Sequence, residues 1–178
     1  GVASATAYRP KFDLEHTRNL FFKKKEWVLI VDSFEKDNSR RFEYKQWFHL
    51  TPEAELIKDN HQHMVFYLPS MAKYLHMVDI ISTSDRRVLV KGQKEPELQG
   101  WFSPHYEVAI PNYAVGFSRL GQEENIATLL VLSDHGQLVF SGEGKASSKD
   151  ISICWKSDVA ADGVTFNFDT KRVSGCAE

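Results

Sequence analysis

His16-Thr17-Arg18-Asn19-Leu20-Phe21-Phe22 runs into Lys23-Lys24-Lys25-Glu26 and returns as Trp27-Val28-Leu29-Ile30-Val31-Asp32-Ser33-Phe34. Both arms are rich in β-branched and aromatic residues, and the charged four-residue link has the character of a solvated tip, so the stretch predicts a β-hairpin. Its register decides its chemistry. In one pairing His16 faces Asp32 and the two share a site; slipped by one residue, Thr17 faces Asp32, whose side chain then points away. The plain alternative is a surface histidine and a turn-proximal aspartate.

Downstream, Arg40 to Leu50 alternates, with Phe42, Tyr44, Gln46, Phe48 and Leu50 on one face and Arg41, Glu43, Lys45, Trp47 and His49 on the other. Further short strands are expected from Glu55 to Lys58, Gln62 to Leu68, Tyr74 to Ile81, Arg87 to Val90, Ala114 to Leu120, Asn125 to Leu132, Leu138 to Phe140, Ile151 to Trp155 and Val164 to Phe168. No twelve-residue stretch keeps apolar residues at helical spacing. The expectation is an all-β fold, an antiparallel β-sandwich of roughly a dozen strands in two stacked sheets. A single domain over 14–172 follows a ragged segment, 1–13, left by excision, and precedes a loose tail, 173–178. The opening Gly1-Val2-Ala3 has neither an initiator Met nor a signal sequence and predicts a piece cut from something longer.

Composition narrows the function. The 178 residues are 42% hydrophobic and 26% charged, with a net charge of −2, which supports one good core or at most two small ones. It supplies no cationic surplus for nucleic acid. The apolar runs Trp27–Val31 and Ala127–Leu132 are far shorter than the ~20 residues of a membrane-spanning helix, so no membrane insertion is expected. Cys154 and Cys176 could form one bridge but not a disulfide framework. There is no Gly-x-Ser-x-Gly elbow and no Gly-rich turn opening a helix, which removes serine-hydrolase and phosphate-cradling chemistry.

Three groups remain. His61-Gln62-His63 has the spacing of two imidazoles on one strand face, although no carboxylate follows it, and an exposed strand start explains it better. His16 and Arg18 share a strand face. Trp101 and Tyr106 lie in the irregular Gly/Pro segment from Lys91 to Pro111, near Arg86, Arg87 and Lys91, where an aromatic beside cations suits an acidic sugar.

The runs His16–Phe22, Glu26–Asp32 and Gln46-Trp47-Phe48-His49-Leu50 before Thr51-Pro52, with Gly100-Trp101-Phe102-Ser103-Pro104-His105-Tyr106 and Ile110-Pro111, resemble the C-terminal β-sandwich region of the heparinase II/III-like polysaccharide lyases. The resemblance covers roughly Leu14 to Asp134. Glu107 departs from it, standing where glycine is often found, as does Asn112, which interrupts the usual proline spacing.

The resemblance implies a lyase that cleaves uronic-acid polysaccharides by β-elimination, with an α-helical toroid ahead of the sandwich as partner domain and an acidic polysaccharide as ligand. It also implies a location outside the cytoplasm, whether secreted, periplasmic or at the cell surface. It casts His16 as a catalytic or zinc-binding residue, Asp32 and His49 as further zinc ligands, and Arg18, the same-face neighbour of His16, as a substrate contact; Trp101 and Tyr106 are expected as substrate contacts from the aromatic-beside-cation reading above. Without the toroid the piece would have little or no activity, and without the family's upstream sandwich strand it would hold no zinc firmly, since affinity falls with each missing ligand. The alternatives are a non-catalytic carbohydrate-binding module and an interdomain structural module.

Overall fold

The computed structural model describes residues 2–5, 13–36, 40–60, 62–81, 87–121, 124–141, 150–156, 161–170 and 172–175. The strands are β1 (Val2–Ala5), β2 (Leu14–Lys23), β3 (Trp27–Lys36), β4 (Phe42–His49), β5 (Glu55–Asp59), β6 (His63–Leu68), β7 (Lys73–Asp79), β8 (Arg87–Lys91), β9 (Trp101–Phe102), β10 (Ile110–Pro111), β11 (Tyr113–Gly121), β12 (Glu124–Ser133), β13 (Val139–Ser141), β14 (Asp150–Lys156), β15 (Ala161–Asn167) and β16 (Arg172–Ser174). One 3₁₀ turn, Pro69–Met71, joins β6 to β7. Every pairing among the described residues is antiparallel. The fold is all-β, as expected.

Three sheets stack where two were expected. A seven-stranded sheet ordered β1-β2-β3-β12-β7-β6-β5 lies between a three-stranded sheet, β4-β11-β8, and a four-stranded one, β13-β14-β15-β16. The reason is written in β3 and β12. Leu29, Val31, Ala127, Leu129 and Val131 project to one side and pack with Ile151, Ile153, Trp155, Val164 and Phe166. Phe34 and Ile126 project to the other and pack with Tyr44, Val115 and Phe117. A strand apolar on both faces must be covered on both, so the chain builds two cores.

Described residues of both terminal segments lie in strands. Residues 2–5 pair with β2, placing Ala3 opposite Arg18 and Ala5 opposite His16. Val173 and Ser174, within the expected loose tail, belong to β16 and pair with Phe166 and Thr165. In each case the backbone groups of an edge strand find partners.

The β2–β3 hairpin forms as its composition predicts, but in a third register. Lys23 pairs with Trp27 and Arg18 pairs with Asp32. The turn closes through the Glu26 amide donating to the Lys23 carbonyl (3.0 Å), with Lys25 in the left-handed region at φ 67°. Neither His16 nor Thr17 is therefore directly opposite Asp32. Because residues two apart share a face, His16 still reaches it diagonally.

Candidate functional site

Between the central and three-stranded sheets a polar seam interrupts the apolar core. Asp32, almost completely buried, is its centre. Arg18 grips it side-on: Nε donates to Oδ1 and Nη2 to Oδ2, both at 2.7 Å. His16 Nε2 lies 2.9 Å from Oδ1, and Gln46 Nε2 donates to Oδ2 at 2.7 Å from β4 of the facing sheet. Thr128 Oγ1 on β12 donates in turn to Gln46 Oε1 (2.6 Å), fixing the amide's orientation. Phe34 stacks on the His16 ring, with centroids 4.6 Å apart.

Burial alone would push the Asp32 carboxyl up; the hydrogen bonds from Arg18, His16 and Gln46 overcome it and hold the group below its ordinary value. Arg18 is raised, chiefly by its bond to Asp32. An ionised carboxylate only accepts, so His16 Nε2 carries the hydrogen, and in the neutral ring Nδ1 is the lone-pair nitrogen. The inner half of the cluster is closed and the outer half open: Asp32 is 1% exposed, His16 21% and Arg18 47%.

Beside it, one strand further across the sheet, a second cross-sheet clasp closes the seam. Asp79 on β7 is the register partner of Thr128. Arg119 on β11, fully buried, donates through Nη2 to Asp79 Oδ1 (2.7 Å) and Oδ2 (2.6 Å) and to the Ile81 carbonyl, and through Nη1 to the Ser118 carbonyl (2.9 Å). Desolvation raises the Asp79 carboxyl even with this guanidinium beside it.

The other expected site residues disperse. His49 is exposed and lies on the face of β4 opposite Gln46, so it does not meet His16 or Asp32. Trp101 anchors its own loop: Nε1 donates to the Gln93 carbonyl at 2.8 Å. Tyr106 is 87% exposed. Lys91 lies over the Tyr113 ring, and Arg87 pairs with Asp59; Arg86 falls outside the described residues. The Lys91–Tyr113 pair and the Gln46–Phe117 pair are four residues apart along β11, about 13 Å at strand rise, so the aromatic loop and the Asp32 cluster occupy different parts of the sheet. Glu107 adopts φ 61°, which explains why glycine suits that position.

His63 turns inward. Its Nε2 is 2.9 Å from His76 Nδ1, and His76 Nε2 donates to the His135 carbonyl (2.9 Å). Burial, then the neighbouring His76, lowers His63 to about 4, and desolvation lowers His76. His61 lies outside the described residues.

A zinc ion does not fit the expected trio. The two Asp32 oxygens already receive four hydrogen bonds, a guanidinium occupies the carboxylate's open edge, and His49 is elsewhere. Among the described residues, no three His, Cys, Asp or Glu side chains are grouped to hold a metal.

The family model described as "Heparinase II/III-like, C-terminal" matches residues 2–156. The chain belongs to the heparinase II/III-like family. Its fold is similar to that of heparan sulfate lyase HepC from Pedobacter heparinus (TM-score 0.66, 12% identity, covering 94% of this chain and 25% of that one). It is also similar to the heparinase III BT4657 gene product (0.60, 13%, covering 93% and 25%) and to a further heparinase III (0.57, 11%, covering 93% and 25%). The chain thus spans about a quarter of the length of these solved lyases. No curated protein sequence matches it.

Of four neighbours in the seam, Gln46 lies in a run that carries the resemblance but has no role assigned by it, and Thr128, Asp79 and Arg119 are marked by no motif. Their signal is phase: Gln46 alternates with Tyr44 and Phe48, and Arg119 with Val115 and Phe117, so each is polar where the strand expects a core residue.

Proposed function

We propose that this domain forms one wall of a polysaccharide lyase that cleaves uronic-acid glycans by β-elimination, the other wall coming from a helical domain ahead of it, without which it is inactive. The family match across 2–156 carries the reading. In such an elimination the uronate carboxylate is neutralised, a base removes the C5 proton, the C4–C5 double bond forms, and O4 leaves with a proton.

The cluster contributes to these needs from its open half. Arg18 spends two N–H bonds on Asp32 and has three left, enough to hold a carboxylate. His16, oriented by Asp32 through Nε2, has Nδ1 to accept a proton and return it. The groove of about 350 Å³ lined by Phe22, Met71, Leu75 and Leu130, with Phe22 63% and Met71 53% exposed, supports docking of the helical domain. The disulfide at Cys154 supports work outside the cytoplasm.

The test compares this chain alone and joined to its helical domain on a panel of uronic-acid glycans, following the ultraviolet absorbance of the unsaturated uronate. Product is expected only from the joined protein, with His16→Ala lowering kcat by at least about 100-fold. No unsaturated product from the joined protein on any acidic glycan rejects the reading. A carbohydrate-binding role without chemistry is favoured by one observation, the exposure of Tyr106 and Phe102, two aromatic residues four apart in the same segment; it predicts glycan binding by this chain alone, lost in Tyr106→Ala.

A further inference from the structure

We propose that Arg18 is a tethered cation standing on Asp32 where a divalent metal would otherwise bind, so that this cross-sheet anchor is metal-independent and becomes a metal site only when the guanidinium is exchanged for an imidazole. The anchor has this character whether or not the domain serves a lyase.

A carboxylate as buried as Asp32 requires a compensating positive charge and hydrogen bonds to both oxygens. A metal ion and a guanidinium are two solutions to that demand, and they exclude each other: they compete for the same lone pairs and repel by charge. Here the guanidinium has taken the place. Its two 2.7 Å contacts are the parallel bidentate form that makes arginine–carboxylate pairs strong. With Gln46 and His16 they bring the bonds on the carboxylate to four, about its full acceptor capacity.

The surroundings supply two of the donors that a metal site needs, the His16 imidazole and the Asp32 carboxylate, 2.9 Å apart. His16 and Arg18 are two apart on one face of β2, and both converge on Asp32 from the neighbouring strand. An imidazole at position 18 would complete two nitrogens and a carboxylate around one point, a donor set that zinc accepts with water as fourth ligand. Part of this site faces solvent, with Arg18 47% exposed, so an ion has a way in. The amino acid at a single position therefore decides between a metal-free and a metal-dependent clasp.

The experiment measures melting temperature for the wild-type chain and for Arg18→His, each with EDTA and with zinc chloride, and records the visible spectrum with cobalt(II). For wild type we expect shifts under about 1 °C in both conditions and no tetrahedral cobalt spectrum. For Arg18→His we expect zinc to raise the melting temperature by on the order of 5 °C at a hundredfold excess over Kd, reversed by EDTA, with a tetrahedral cobalt spectrum. Where that variant is unfolded without metal, refolding from urea decides the same question: recovery with zinc supports the proposal and failure to recover overturns it. A wild-type protein that EDTA destabilises and zinc restores also overturns it, as does a folded Arg18→His that ignores both metals.

Discussion

Replacing Arg119 with methionine isolates what a buried clasp contributes. Methionine retains much of the apolar stem of a side chain that is 1% exposed, so packing changes little while the charge and every donor vanish. Asp79 then remains buried without its partner, and the Ile81 and Ser118 carbonyls lose the donors they have now. Removing one member of a buried ion pair costs about 3–5 kcal/mol, a drop in melting temperature of roughly 10 °C for a chain of this size.

Asp79 can partly escape by taking up a proton. Its carboxyl is already raised by desolvation, and loss of Arg119 raises it further. A raised carboxyl is comfortable below its unfolded value of 3.8 and costs stability as pH rises through its folded value. The penalty of Arg119→Met is therefore largest at neutral pH and shrinks on acidification. Urea denaturation at pH 7 and pH 5 measures both effects. The double variant Arg119→Met/Asp79→Leu removes the orphaned charge and should recover at least half of the loss, because contacting residues are not additive. A single variant that costs under about 1 kcal/mol at pH 7, or a double variant as unstable as the single, would refute this account of the seam.

Two further outcomes follow from the histidine pair and from Asp32. His63 is lowered from 6.5 to about 4, so the unfolded chain binds the proton first and stability present above pH 6.5 is lost as pH falls towards 4, by on the order of 3 kcal/mol. His63→Gln keeps a donor for His76 Nδ1 and removes one of the two titrating rings, so its urea midpoint should fall less steeply across that window, the remaining slope coming from His76, which desolvation also lowers; a wild-type midpoint that is already flat contradicts the buried-neutral assignment. Asp32, held below its ordinary value, contributes stability above 3.8 that disappears as pH falls further. Asp32→Asn should cost about 2–4 kcal/mol at pH 7 by setting an amide donor against Arg18 and Gln46, and should lose that acid limb, which calorimetry between pH 2 and 5 detects; an unchanged acid limb would assign it to other carboxylates.

What can be read from the chain depends on how local its physics is. The hairpin at Lys23–Trp27 and the two faces of β4 follow from neighbours in sequence, and both are legible there. Register is not, because no Gly or Asn marks the turn; Lys25 takes the left-handed position, and its side chain gives no sign of it. The third sheet is hidden for a related reason. Alternation in β14 and β15 shows that one face is buried, but not that it lies on the far side of β3 and β12. His76 reads as one polar residue in an apolar strand until β6 brings His63 beside it. Arg119 and Asp79 are 40 residues apart, and nothing in either segment names the other. At the His16 site the chemistry-bearing types are visible in sequence, while Arg18, the residue that fills the carboxylate, reads there as a contact for substrate alone.

The order of the central sheet has a bearing on how the molecule comes into being. β1 to β3 and β5 to β7 assemble from near neighbours, yet they join only through β12, whose residues, 124–133, come after both. Until that strand is delivered, β3 and β7 each present a bare backbone ladder of apolar residues, the arrangement most prone to capture by another chain. On a ribosome the sheet must wait for its keystone. Shortened products ending before residue 124 should consequently be sticky rather than merely incomplete, and long-separation closure of this kind makes for slow folding.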